Sequence, residues 1–477
     1  MLNWIDGAER SAHSGQVFSK LSPSDGRLLS NVARSDARDI DEAVAAATRA
    51  FPSWAAQTPV RRGDLLHELA LAMRSRRDEL ARTVADETGK SVKDAIGETD
   101  AAIAQGLFMA GEGRRWYGRT TTSAVVNRTP IIVRQPIGVT GLIIAANTPI
   151  ANVAWKVFPA LVCGNTAVLK ASEDAPRVAT LFAHLAHDVG IPAGVLNVVH
   201  GFGRDAGAPL VAHPGVHVVS FTGSTEVGRE IARVTADRLA KVFLELGGKN
   251  PFVVCDDADL ELAARWATLS AFSNAGQRCA AGSRVIVFDA CYDAFRGQLA
   301  AKTRALRVGA DDDDDLGPVI NERQLQRMLA AVERACAEGA RVVCGGQRVD
   351  RAGFFMQPTI LEDVAPDCEI SRTELFGPIT CLYRVRDFDE AVQLANRSPY
   401  GLTSCIHTSS IHRAFEFVRR IEAGVVSINA GSYGSEPHMP FGGVKMSGNG
   451  LREPGTEALD VYSEWKTVYF NVDPSRA

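Results

Sequence analysis

Apolar positions change their period several times along the chain, and each change marks a different kind of element. Between Asp39 and Gly118 they recur at helical spacing, as in Leu65, Leu66, Leu69, Leu71 and Met73, with charged residues between them. That is the pattern of helices with one buried face. From Thr121 to Val139 the pattern turns to β-branched alternation through Val125, Val126, Ile131, Ile132 and Val133, which predicts a strand hairpin projecting from the body. Such a hairpin needs a partner for its edges. From Gly138 to Cys255 short apolar runs alternate with helical stretches. GLIIAA precedes IANVAWKVFPALV, TAVLKA precedes PRVATLFAHLAHDV, GVLNVV precedes RDAGAPLVAH, HVVSFTG precedes TEVGREIARV, and KVFLEL closes the series. This rhythm predicts a parallel sheet with helices on both faces, an architecture that binds dinucleotides. A second α/β stretch runs from Asn250 to Pro440, and the tail from Ala458 to Val472, ALDVYSEWKTVYFNV, is strand-like. Internal repeats and low-complexity linkers are missing, and the acidic run Asp311 to Asp315 reads as a short solvated loop.

Composition narrows the class without naming a reaction. A chain of 477 residues suits two or three domains with a ligand between layers. With 46% hydrophobic and 23% charged residues it has the balance of a soluble globular protein. A net charge of -4 with both signs interspersed offers no basic face, so nucleic acid is not an expected partner. The nine cysteines lie between Cys163 and Cys405 with no C-x-x-C pair and no metal-ligand spacing, which predicts reduced thiols in the cytoplasm and no metal. The N-terminus carries Asp6 and Glu9 and no apolar run, unlike a secretory signal. The uncharged stretch Gln135 to Trp155 is long enough to span a bilayer, but Pro136, Gly138, Gly141, Asn147, Pro149 and Asn152 interrupt it. A buried strand, a turn and a helix account for it better, and no membrane is expected.

Several residues then stand out by chemistry. Gly201, Gly203 and Gly207 follow the strand GVLNVV, where small residues let backbone amides approach an anion at a helix N-terminus. A tight turn with no ligand is the competing reading. In the next junction, Phe221 to Glu226, Gly223 makes a turn, and Ser224 is most simply a helix cap. Lys170 and Glu173 end the strand TAVLK at the carboxyl edge of the expected sheet, where such sheets bind ligands. An acidic residue there can accept both ribose hydroxyls and would repel a 2′-phosphate, which favours NAD over NADP. Two loop charges with no ligand remain the alternative. Cys279 sits in the small-residue loop NAGQRCAAG beside Arg278, a setting for a reactive thiolate, although a cysteine is by default a small buried hydrophobe. Glu245, between Leu244 and Leu246 at the end of an apolar strand, is either a buried base with a raised pKa or an edge charge pointing to solvent.

Taken together these stations resemble the aldehyde dehydrogenase superfamily. Asn147 before Pro149, the edge Lys170 to Glu173, Gly223-Ser224, Leu244 to Gly248, Cys279, Glu374 to Pro378 (ELFGP) and Pro440 to Gly443 (PFGG) occur in the family's order, and the resemblance covers essentially the whole chain. The spacing of Glu245 and Cys279 is also similar to the family's.

The resemblance implies an α/β fold of aldehyde dehydrogenase type, with two Rossmann-like parallel-sheet domains and a small β oligomerisation hairpin. It divides the chain into an NAD-binding domain (1–118 and 138–247), a catalytic domain (248–448) and oligomerisation strands (119–137 and 449–477), in a homodimer or homotetramer. It implies Cys279 as nucleophile, Glu245 as the base for the deacylating water and Asn147 as the side-chain half of an oxyanion hole. Lys156, Lys170, Glu173, Gly203, Gly223, Ser224, Glu374 and Phe376 become expected cofactor contacts for NAD. Trp155 and Phe441 become walls of an aldehyde tunnel, with Thr148, Arg278 and His438 as further substrate-facing candidates. Two departures are visible: Ala145-Ala146-Asn147-Thr148 puts Thr148 where the family usually has an aromatic, and Leu451 to Gly455 is one residue longer than the usual tail motif. The expected activity is NAD-dependent oxidation of an aldehyde to the acid, with an anionic semialdehyde suggested by Arg278. A CoA-acylating enzyme and a catalytically silent scaffold of the same fold are the alternatives.

Overall fold

The computed structural model describes residues 1–476. Four helices, Ala37–Ala55, Pro59–Ser75, Arg77–Thr88 and Val92–Glu112, fill the first helical region. They join a seven-stranded sheet whose order across is Lys241–Glu245, Val218–Thr222, Val139–Ile143, Thr166–Lys170, Leu196–Val199, Asn3–Ile5 and Ala8–Arg10. The first five strands run parallel. Their residues are buried almost throughout, as continuous apolar runs require when helices cover both faces. The last two strands form an antiparallel hairpin that the hydrophobic pattern does not announce, because each has three residues and the outer one is largely solvent-facing.

A second seven-stranded sheet has the order Arg341–Cys344, Thr359–Glu362, Ile379–Val385, Gly282–Phe288, Asn250–Val254, Thr403–His407 and Val425–Ile428. It is parallel except for its first pair. The link between the sheets is short: Glu245 ends the outermost strand of the first, and Asn250 begins a strand well inside the second. Residues at that link therefore lie where the two layers meet.

The expected projecting hairpin takes a different form. Arg128–Pro136 is one long strand whose main partner is the C-terminal strand Ser463–Asn471, with only Arg119–Thr120 on its other side. The tail is not strand throughout, since Ala458–Val461 is a helical turn with three of its four residues buried before the strand begins. The apolar residues of that turn pack into the core of the first sheet, which overrides their β propensity. No helix among the described residues is long and apolar enough to cross a membrane.

Candidate active site

Glu245 reaches its position because KVFLE is the buried edge strand of the first sheet, so its carboxylate is carried into the junction with the second. It is 5% exposed, and its Oε1 has no hydrogen-bond partner. Burial drives its pKa well above the ordinary carboxylate range, opposed by Lys156 and reinforced by the nearby Glu453. Burial with an unused oxygen is the condition for a carboxyl that can take a proton near neutral pH.

Cys279 lies in the loop entering the strand Gly282–Phe288, and Asn250 pins this loop by donating from Nδ2 to the carbonyls of Cys279 (2.7 Å) and Ala281 (2.9 Å). Just upstream Asn274 and Ala275 adopt φ of 53° and 51°, and Gly276 follows at 67°, where an added Cβ would collide with the Gly377 carbonyl. Those positive φ values are uncommon for residues other than glycine. They turn the chain so that the cysteine, half-buried rather than sealed in, faces the junction. Burial, then the charges of Glu245 and Glu374, push its thiol up to about 12, with the Ala280 amide and Arg278 acting the other way. The named charges place thiol, Glu245 and Glu374 in one electrostatic neighbourhood.

Glu374 closes the opposite side. Its Oε1 accepts from the Gly248 amide at 3.0 Å, and a Cβ on Gly247 would collide with its Oε2, so glycine at 247 is what lets the carboxylate lie against the chain. Burial raises its pKa to about 7. Phe376, two residues on, sits at φ 59°.

Asn147 precedes the helix Pro149–Val162. Its Oδ1 is approached by Asn152 Nδ2 at 3.5 Å, which leaves Nδ2 as the end of the amide able to donate to an oxyanion. Thr148 is engaged by the same Asn152, whose Nδ2 donates to its Oγ1 at 3.2 Å. Trp155 and Phe441 meet with ring centroids 5.6 Å apart, forming one wall. Arg278 lies with its guanidinium 4.8 Å from the ring centroid of Tyr433, and its Nε is buried without an acceptor. His438 is half-exposed, its ring centroid 6.4 Å from that of Phe108 and its Nε2 3.8 Å from Glu436.

At the carboxyl edge of the first sheet, Lys170 and Glu173 pair at 2.8 Å. Burial raises the pKa of Glu173, but Lys170 more than offsets it and holds the carboxyl below its usual range. Ser224 is exposed and caps the helix Thr225–Ala236, accepting from the Val227 amide at 3.3 Å. Gly223 is held by its amide to the Glu245 carbonyl at 3.0 Å. Gly203 opens a wide turn where an added Cβ would meet nothing within 4 Å, so the protein itself does not demand glycine there, whereas Gly201 has φ 138°.

Lys156 is engaged within the protein. It is 1% exposed, with Nζ donating to Ser220 Oγ (2.7 Å) and Glu453 Oε2 (3.2 Å). The almost wholly buried helix Pro149–Val162 carries it inward, where its charge acts on Glu245. Sequence reasoning missed Glu453, Asn250 and Asn274. Only Glu453 had a local signal, the lengthened segment Leu451 to Gly455.

With a buried carboxyl, a thiol and an unused amide donor at the meeting of two parallel sheets, known proteins decide the family. The aldehyde dehydrogenase family's sequence profile matches residues 10–468. The chain belongs to the aldehyde dehydrogenase family. An α-ketoglutaric semialdehyde dehydrogenase of Bacillus subtilis is 39% identical over 98% of this chain and 97% of its own length. An NADP+ succinate-semialdehyde dehydrogenase of Escherichia coli is 38% identical over 97% of this chain and 96% of its own. The crystal structure of Staphylococcus aureus betaine aldehyde dehydrogenase with NAD+ superposes with a TM-score of 0.97 at 32% identity, covering 99% of this chain and 95% of that one. This aldehyde dehydrogenase is thus an NAD(P)-dependent oxidoreductase that converts an aldehyde to its acid.

Proposed function

We propose that this aldehyde dehydrogenase oxidises a semialdehyde with an anionic tail, using NAD, with Cys279 as nucleophile, Glu245 as base and Asn147 as oxyanion donor. The observation that carries the reading is the buried, unpartnered Oε1 of Glu245 in the electrostatic neighbourhood of the Cys279 thiol. The residues at the first sheet's edge fit a dinucleotide. Lys170 and Glu173 form a pair that offers a carboxylate acceptor to ribose hydroxyls, and Glu374 lies against Gly247, where any Cβ would collide with it. When bound, NAD+ would supply the hydride acceptor.

The Cys279 thiolate adds to the aldehyde carbon, forming a C–S bond and a thiohemiacetal oxyanion held by Asn147 Nδ2 and a backbone N–H of the cysteine loop. One such donor is typically worth about 3 kcal/mol. As the carbonyl re-forms, the carbon loses its hydride and becomes a thioester on Cys279. Glu245 then takes a proton from water as that water attacks the thioester, the C–S bond breaks to release the acid and the Cys279 thiolate, and Glu245 passes its proton to solvent. Glu245 argues against an acylating enzyme, which needs no water-activating base, and keeping Cys279, Glu245 and Asn147 together argues against a silent scaffold.

For the substrate tail, the support is Arg278, whose Nε lacks an acceptor, and the two relatives that act on semialdehydes. For assembly into a dimer or tetramer, the support is unpaired sheet edges. Ser463–Asn471 and Val425–Ile428 each end a sheet, and the helix Ile411–Arg420 exposes Ile411, Phe415 and Val418 along one stripe. The test is NADH formation from a panel of neutral and anionic aldehydes, with and without CoA. Acid formation independent of CoA and fastest for semialdehydes is expected; acyl-CoA as product, or no turnover of any aldehyde, would overturn the reading.

A further inference from the structure

The carbonyl of Asn147 receives two side-chain donors from distant parts of the chain. Lys90 Nζ reaches it at 2.7 Å, and Asn274 Nδ2, from the bend before the nucleophile loop, at 3.2 Å. Lys90 is not free to wander, because its ammonium also pairs with Glu98 Oε2 at 2.6 Å, with the two side chains only 3% and 5% exposed. Glu98 does a second job with its other oxygen. Its Oε1 accepts from the amides of Ile150 (3.0 Å) and Ala151 (3.3 Å), the opening turn of the helix that follows Asn147. That helix has no cap from Thr148, so Glu98 supplies from another element the acceptor its first amides need. Lys90 and Glu98 therefore grip the Asn147 peptide from its carbonyl and the helix behind it from its amides, while Asn152 fixes which end of the Asn147 side-chain amide is engaged.

We infer that Lys90 and Glu98 are positioning residues for the oxyanion donor: the buried pair orients Asn147, and Asn274 ties that orientation to the loop carrying Cys279. The inference rests on the reading of Asn147 given above. A charged donor suits this place, since charge-assisted hydrogen bonds are shorter and about twice as strong as neutral ones. Placement within a fraction of an ångström is what an oxyanion hole requires, and a misplacement of about 1 Å can cost on the order of a hundredfold in rate.

The test is one paired variant made in two backgrounds. Lys90→Met combined with Glu98→Gln removes both charges together, so no unpaired buried charge remains, and the glutamine amide still offers an oxygen to Ile150 and Ala151. First-turnover NADH formation, kcat and KM are measured for this pair in the wild-type and in the Asn147→Ala background. In the wild-type background the first-turnover rate is expected to fall about ten- to hundredfold with KM within about threefold. In the Asn147→Ala background the same change is expected to alter the rate less than about twofold, because the group being positioned is gone. An equal loss in both backgrounds overturns the positioning role and assigns the pair to general stability. If Asn147→Ala itself leaves the rate intact, the oxyanion reading fails first, and the two failures are told apart. Should the paired variant not fold, Lys90→Arg, which keeps the charge but changes the reach, goes through the same cycle with the same criteria.

Discussion

A Cβ on Gly442 would stand 2.6 Å from Glu245 Oε1, the buried oxygen that no hydrogen bond occupies. Glycine at 442 is thus what leaves room beside that oxygen, and its φ of 148° is a value other residues rarely adopt. Gly442→Ala is expected to displace the carboxylate, lowering steady-state turnover about tenfold or more while an initial burst of NADH survives. It should also lower thermal stability by on the order of 1–3 kcal/mol from backbone strain. Stopped-flow and melting measurements check both; turnover within twofold of wild type would mean Glu245 does not use that space.

Removing the nucleophile and removing the base should separate two steps. Cys279→Ala is expected to abolish aldehyde oxidation, leaving less than about a thousandth of wild-type turnover, while cofactor still binds at the sheet edge. Glu245→Gln is expected to keep a burst near one NADH per site and slow every later turnover, because hydride departs before the base acts. Equal loss of burst and turnover in Glu245→Gln would count against its deacylation role.

The pH dependence follows from two carboxyls shifted in the same direction. Burial raises Glu374 to about 7 and Glu245 well above the ordinary range. As a base Glu245 works only when ionised, so steady-state turnover should climb as pH rises through its elevated pKa. Stability runs the other way: a carboxyl with a raised folded-state pKa contributes most below its unfolded value, near 4.5 for Glu374, and that contribution is lost as pH climbs to about 7. Glu374→Gln keeps an acceptor for the Gly248 amide and is expected to melt higher than wild type at pH 8, by on the order of 1 kcal/mol, with the advantage gone at pH 4. No pH dependence of that difference would contradict the burial-driven shift.

The parallel strands of the first sheet were readable because a strand covered on both faces is a short, mainly apolar run, as in TAVLK and GLIIAA. The N-terminal hairpin was not, since Ala8–Arg10 is an edge strand with little to bury. The site divides in the same way. Glu245 and Cys279 carry local oddities, a carboxylate between leucines and a thiol among small residues. Lys90 and Glu98 lie among the charged residues of a helical region, where a charge ordinarily marks the solvent side, and only the fold brings them under Asn147. The pairing of Lys156 with Glu453 was illegible for a related reason, since it joins segments far apart along the chain.

Cofactor choice can be read at Glu173, held in its charged form by Lys170. A 2′-phosphate would meet that carboxylate, so efficiency with NAD should exceed that with NADP by about tenfold, which corresponds to about 1.4 kcal/mol. Glu173→Gln should narrow the ratio mainly by improving KM for NADP. Equal use of both cofactors by the wild type would remove the basis for the preference.

Arg278 gives the sharpest prediction about substrate. Its guanidinium lies over Tyr433 and its Nε has no acceptor, although a guanidinium directs donors in a fixed plane suited to a carboxylate. A carboxylate on the substrate tail would meet that need, and Tyr433 would hold the plane in place. Thr148 accepts from Asn152 and keeps its own O–H to donate, while His438 lies beside Glu436. Succinic semialdehyde should therefore outperform butanal, an aldehyde of equal length without the charge. A hydrogen bond to a charged group is worth about 1.5–3 kcal/mol, so Arg278→Leu should reduce the ratio of kcat/KM for the two by about ten- to hundredfold, through KM for the semialdehyde. If the ratio does not move, or if the wild type prefers butanal, Arg278 serves the loop around Cys279 and the anionic tail is bound by other residues or not at all.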